Sequence, residues 1–188
     1  MTDSALPSPG LQARADRRHA ASSSFTPLRT VAALAFLAAA VLLLAGNDAV
    51  RAAEAAAAAH PIGLAVPGDA VASGDIVVFQ LGRADVLGMR ISFMCSTVVL
   101  AAPLLLAAAA VTPFGRFAAR GLAQGLAGSL LIVVVANLLR FTLIAFAYAT
   151  WGREGFDLSH HVVGSLVVIV AFVAASAYFV RSVGRGRS

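Results

Sequence analysis

Lysine is absent from this chain, and cysteine and tryptophan occur once each. All fourteen basic residues are therefore arginine. The lone cysteine, Cys95, excludes a disulfide within the chain and any cluster of cysteine metal ligands. Charge is scarce as well: 12% of the 188 residues are charged, about half the share expected of a soluble domain. Apolar residues make up 60% of the chain. That balance describes an integral membrane protein, and the length fits one membrane domain. The net charge of +5 comes from arginines scattered at segment ends, with no basic stripe. Nucleic acid is therefore not an expected partner, whereas a lipid bilayer is.

Four apolar segments stand out, at about 28–45, 92–111, 122–149 and 162–180. Each is near the roughly 20 residues that cross about 30 Å of hydrocarbon. The expected fold is all-α: a polytopic membrane helical bundle with about four transmembrane helices and a small extracytoplasmic hairpin or loop. The first segment is short and could continue through the alanine-rich stretch Ala49 to Ala59, interrupted by Arg51 and Glu54. Arg14, Arg17, Arg18, Arg29, Arg116, Arg120, Arg181, Arg185 and Arg187 fall on one set of connecting segments. Seven of the nine acidic residues fall on the other set, 46–91 and 150–161. The positive-inside rule then puts both termini and the 112–121 loop in the cytoplasm of a plasma-membrane protein. Residues 1–27 read as a disordered cytoplasmic tail, 28–180 as the membrane domain and 181–188 as a basic cytoplasmic tail. A cleavable signal peptide is the alternative reading of the first segment. In the outer segment 46–91, Ile76 to Leu81 and Val86 to Ile91 suggest a hairpin, with a loose loop as the alternative.

Three costly side chains fall at one depth. Cys95 lies near the outer end of the second segment. Arg140 lies about twenty residues beyond Arg120, or roughly 30 Å along a helix, which carries it to the outer boundary. His160 and His161 end the 150–161 loop, where the fourth segment begins. Each has an inert reading: apolar packing for the thiol, snorkelling for the arginine, an interfacial or capping place for the histidines. Asn137 shares a helix face with Arg140 and argues for a polar interior there. Together the groups suit acyl transfer. A thiolate attacks, an imidazole moves the proton, and a guanidinium steadies the oxyanion.

Cys95-Ser96-Thr97, Asn137-x-x-Arg140 and His160-x-x-x-Gly164, in that order on successive segments, resemble the exosortase/archaeosortase family. The resemblance covers about residues 75–180. It implies a membrane cysteine transpeptidase or peptidase that cleaves a C-terminal sorting signal of an exported protein. It implies Cys95 as nucleophile, Arg140 as the family's arginine and His160 as acid–base, with Asn137 in a structural or orienting role; His160 is favoured over His161 because Gly164 lies four residues on, and His161 stays a supporting candidate. No cofactor or metal is implied. The chain departs from the family where many members have glycine in place of Thr97, and it has fewer apolar segments than many members.

The expected function is thus cleavage of an exported substrate through an acyl-enzyme, followed by transfer or release, in a homo- or hetero-oligomer or alone. The alternative is a non-enzymatic membrane assembly or scaffold subunit that pairs through its glycine faces. A transporter or channel fragment is the weakest reading, since no inverted repeat is visible.

Overall fold

The computed structural model describes residues 27–114 and 119–185. The tail expected over 1–27, but for its last residue, and Arg116 lie outside the described residues. Helix α1 spans Pro27–Ala45 and α2 spans Asn47–Ala65, with Gly46 between them. Strands β1 (Asp69–Ser73), β2 (Ile76–Leu81) and β3 (Leu87–Arg90) come next. A 3₁₀ turn at Phe93–Cys95 leads into α3, Val98–Val111. Helix α4, Ala119–Leu158, bends at Gly152. A π turn at Ser159–Val163 joins it to α5, Gly164–Arg185.

The chain is mostly helical. Two helical runs, Pro27–Ala45 and Ala119–Arg185, are long and apolar enough to cross a membrane; the apolar helix Val98–Phe114 is shorter. Leu34, Leu42, Leu131, Leu166, Val173 and Val180 all lie exposed on these helices. Apolar surface of that extent is expensive in water and suits hydrocarbon.

The expected boundaries shift in three places. The first segment does not run on into the alanine stretch as one helix: Gly46 separates α1 from α2, and a Cβ there would approach the Leu42 carbonyl at 3.1 Å. The second helix begins at Val98, not Ser92, so Cys95 sits on the turn before it. The helical path also continues to Arg185, through the start of the expected basic tail.

Residues 69–90 form a three-stranded antiparallel sheet, order β1-β2-β3, which follows α2. Strands β2 and β3 are the expected hairpin; β1 is additional. Gly74, with φ +58, turns β1 into β2. A positive φ at the first central position suits a two-residue hairpin turn, and glycine takes it without strain. Register shifts between Asp69 and Val71, whereas β3 pairs regularly with β2.

Two apolar clusters hold the molecule together. In the outer one, Val77, Phe79 and Met89 from the sheet meet Ala55, Ala58 and Ile62 of α2 and Phe141 and Ile144 of α4. Alanine on α2 lets the sheet approach the helix closely. The Arg51 guanidinium adds a polar clasp: it pairs with Asp48, donates to Asp75 Oδ2 at 2.6 Å and donates to the Ile91 carbonyl at 3.1 Å. Arg90 Nε donates to the same Asp75 oxygen at 3.0 Å. That hydrogen bond, opposed by desolvation, holds the Asp75 carboxyl below the usual carboxylate range.

The inner cluster joins Ala40 of α1, Leu104 and Ala108 of α3, Val133 of α4 and Ala175 and Phe179 of α5. Helices α4 and α5 run antiparallel. A Cβ on Gly125 would meet Ser182 at 3.1 Å, and Ser129 Oγ donates to the Ala175 carbonyl at 2.7 Å. A Cβ on Gly128 would overlap the Tyr178 ring at 2.3 Å. These two glycines serve close contact between α4 and α5 within the chain.

Candidate active site

Cys95 is 7% exposed and belongs to the outer cluster. Its place is fixed by its own main chain. The 3₁₀ turn is closed by Cys95 N–H donating to the Ser92 carbonyl and Ser96 N–H to the Phe93 carbonyl. The Cys95 carbonyl accepts a hydrogen bond from Asn137 Nδ2 at 2.9 Å. The same amide donates to Thr97 Oγ1 at 3.1 Å and approaches Glu54 Oε1 at 3.3 Å. Its nitrogen thus faces acceptors on every side, which fixes the orientation of the amide. Asn137 thus lies against the Cys95 carbonyl and the Thr97 hydroxyl.

Arg140 lies one turn further along the same face of α4 and is 7% exposed. Its Nη2 donates to Cys95 Sγ at 3.6 Å. From the other side His160 Nε2 stands 3.9 Å from the sulfur. Cys95, Arg140 and His160 therefore meet at one point, from three different elements. His161 is not part of that meeting. It is exposed and touches only the edge of the His160 ring, centroids 5.0 Å apart.

The His160 ring is held by stacking. It lies parallel to Phe156 at 5.3 Å, Phe156 leans on Tyr148, and Tyr148 meets Phe79 of β2 edge-on. The π turn carries both His160 and Gly164 toward α4. Single π turns recur at functional sites because they redirect a side chain without ending the helix. Here Gly164 N–H donates to the Ser159 carbonyl, the long-range bond of that turn. His160 precedes the apolar segment 162–180 and lies outside it. Burial, then the nearby Arg140 charge and His161, push its pKa below the ordinary imidazole value, against a smaller opposing pull from Asp157. That direction favours the neutral ring, the form that can accept a proton.

Gly164 explains the His-x-x-x-Gly spacing physically. A Cβ there would lie 2.8 Å from Arg140 Nε and 2.9 Å from the Ser159 carbonyl oxygen. Only a bare α-carbon lets the guanidinium lie against α5. We expect Gly164→Ala to displace Arg140 from the sulfur and to lower turnover by roughly 10²-fold, the cost of about 1 Å of misplacement. Its circular dichroism should stay that of the wild type. Full activity of Gly164→Ala would refute this account.

Glu54 is the residue that sequence reasoning missed. It sits among alanines on α2, and its Oε1 accepts the Thr97 backbone N–H at 2.6 Å. That bond pins the first residue after the Cys95-Ser96 pair, at the entrance to α3. Glu54 Oε2, Asn137 Oδ1 and Arg140 Nε are buried without a hydrogen-bond partner among the described residues. Orphaned polar atoms are rare in folded interiors; these three belong to side chains that hold the Cys95–Thr97 turn, and Asn47 Oδ1 and Arg51 Nε are two more elsewhere on α2.

The chemistry open to this arrangement is that of a thiol with a base on one side and a fixed cation on the other. No family model, curated protein or solved structure matches the chain.

Proposed function

We propose that this chain is a membrane-embedded cysteine transpeptidase or peptidase acting at the outer face of the bilayer. The observation that carries the reading is the placement of Cys95 Sγ between His160 Nε2 and Arg140 Nη2, at 3.9 and 3.6 Å. Neutral His160 takes the thiol proton, and the sulfur attacks the scissile carbonyl. The oxyanion forms beside Arg140, whose buried guanidinium is already in place when charge develops. Collapse of the intermediate expels the amine, which takes the proton back from His160, and leaves a thioester on Cys95. An amine acceptor, or water, then attacks the thioester and frees the thiol.

The substrate class comes from the resemblance to exosortases: an exported protein with a C-terminal sorting signal. Support for the topology comes from arginine placement: four crossings, both termini in the cytoplasm and the thiol facing outward.

The decisive experiment uses the full chain in lipid nanodiscs with an exported protein that carries a C-terminal motif, an apolar span and a basic tail. We expect a substrate adduct on Cys95 that hydroxylamine releases, as a thioester requires. Processing with no such adduct, or with the adduct on another residue, would overturn the reading.

The proton-transfer role has its own test. Alkylation of Cys95 by iodoacetamide should slow as pH falls through a value below the ordinary imidazole range, because His160 then becomes protonated and no longer accepts the proton. His160→Gln should lose that limb and slow alkylation near neutral pH by roughly 10²-fold, the lower end for a positioned base. Identical profiles for the two proteins would remove His160 from the mechanism.

A further inference from the structure

The sheet has two edges, and they differ. At β1 the register slips between Asp69 and Val71. The extra residue is on the central strand β2, where Gln80 takes φ +60, so the added twist falls on the β1 side of the sheet and the β2–β3 pairing stays regular. At β3 the pairing is regular throughout, and its only strand neighbour is β2. The direction of its free groups can be read from the ladder. Ile91 N–H donates to the Asp75 carbonyl across the sheet. In an antiparallel pair the bonded residues alternate. Met89 and Leu87 therefore turn their main-chain groups toward β2, while Gly88 and Arg90 turn theirs away from it. Gly88 and Arg90 are both exposed. The Arg90 side chain is drawn back to Asp75, leaving its backbone uncovered by its own guanidinium.

This edge leads to the thiol. β3 ends at Arg90, and the chain passes through Ile91 and Ser92 into the turn that carries Cys95. A cavity of about 20 Å³ lies between the two, bordered by Arg90, Ile91, Cys95, Phe156 and His160. That is room for one small group, the size of a carbonyl oxygen or a water.

We infer that the free edge of β3 is the docking strand for the substrate's extended segment on the acyl side of the scissile bond. The peptide adds as a fourth strand. Its main-chain groups bond to Gly88 and Arg90, and its terminal carbonyl reaches the cavity beside Cys95. The direction follows from the chemistry. The acyl half must end at the sulfur, and β3 itself runs toward the sulfur, so the added strand is parallel to β3. The departing half continues past Cys95 toward the bilayer. Main-chain bonding of this kind gives affinity with little dependence on side chains. The inference rests on Cys95 being a reactive thiol.

The test uses acetyl-tetra-alanine vinyl sulfone as probe, the one-residue acetyl-alanine vinyl sulfone as reference, and the full chain in nanodiscs. Labelling of Cys95 is followed by mass spectrometry. The longer probe should label faster. Replacing its amides one at a time by esters should slow labelling at alternate positions only, by roughly tenfold for each lost hydrogen bond. Gly88→Pro removes an outward N–H without breaking a bond to β2, and a Cβ at Gly88 meets nothing nearer than Ile76 at 3.8 Å. It should remove the advantage of the longer probe and leave iodoacetamide labelling unchanged, while Gly88→Ala behaves as wild type. If Gly88→Pro misfolds, the ester series on the unaltered chain still decides. Equal rates for the two probes, or ester effects without alternation, would overturn the edge while leaving the thiol reading intact. A Cys95 that no reagent labels would overturn both.

Discussion

Cys95→Ala leaves the chain folded and reduces processing of an exported substrate to background. The fold should survive because the thiol is a small group, and a substitution of this size at a buried position costs about 1 kcal/mol. What stays behind is Arg140 and His160, the two side chains that reach the sulfur. Neither can form the acyl intermediate. Loss of the nucleophile from such a unit lowers turnover by roughly 10⁴-fold or more. Cys95→Ser is the sharper control. It keeps a hydroxyl in place but supplies a far weaker nucleophile at neutral pH, and it too should be inactive. Western analysis of the co-expressed substrate reads the result, and normal processing by Cys95→Ala would end the enzymatic proposal.

The second large effect belongs to Glu54. Glu54→Ala strips the acceptor from the Thr97 backbone N–H, a bond of 2.6 Å. A buried donor left unpaired costs about 1–3 kcal/mol. Asn137 loses one contact and keeps two, to the Cys95 carbonyl and Thr97 Oγ1. The strain therefore falls on the turn that carries the nucleophile, and we expect turnover to drop by roughly 10²-fold. Glu54→Gln discriminates between an acceptor role and a charge role. The amide oxygen can still accept from Thr97, so Gln should restore most of the turnover and leave the pH profile of Cys95 alkylation unchanged. A Gln variant as inactive as Ala would show that the charge of Glu54, and not its acceptor oxygen, is what the site needs. Glu54 acts through the Thr97 backbone, as a positioning residue.

Much of the site can be read from the chain, because depth along a helix is a simple function of residue count. Arg140 is placed by its distance from Arg120, His160 by its position where the fourth segment begins, and Asn137 by sharing a face with Arg140. Other parts depend on facts that spacing does not carry. Glu54 meets Thr97 and Asn137 across 43 and 83 residues. Locally it looks like an interruption in an alanine helix; the one clue is a single acid in a run otherwise almost free of charge. Strand β1 escapes notice because its inward positions, Ala70 and Ala72, are too small to give an alternating pattern. The start of α3 is misplaced because Ile91, Phe93 and Met94 are as apolar as a span, yet they build a turn. His161 is drawn in by adjacency alone, since successive residues on a helix point different ways.

The seam at Gly46 divides the molecule by origin of its contacts. The cluster that surrounds Cys95 takes helical residues from α2 and α4 and none from α1, whose buried Ala40 belongs to the inner cluster. Removal of α1 therefore takes contacts from the second cluster and leaves every residue of the cluster around Cys95 in the chain.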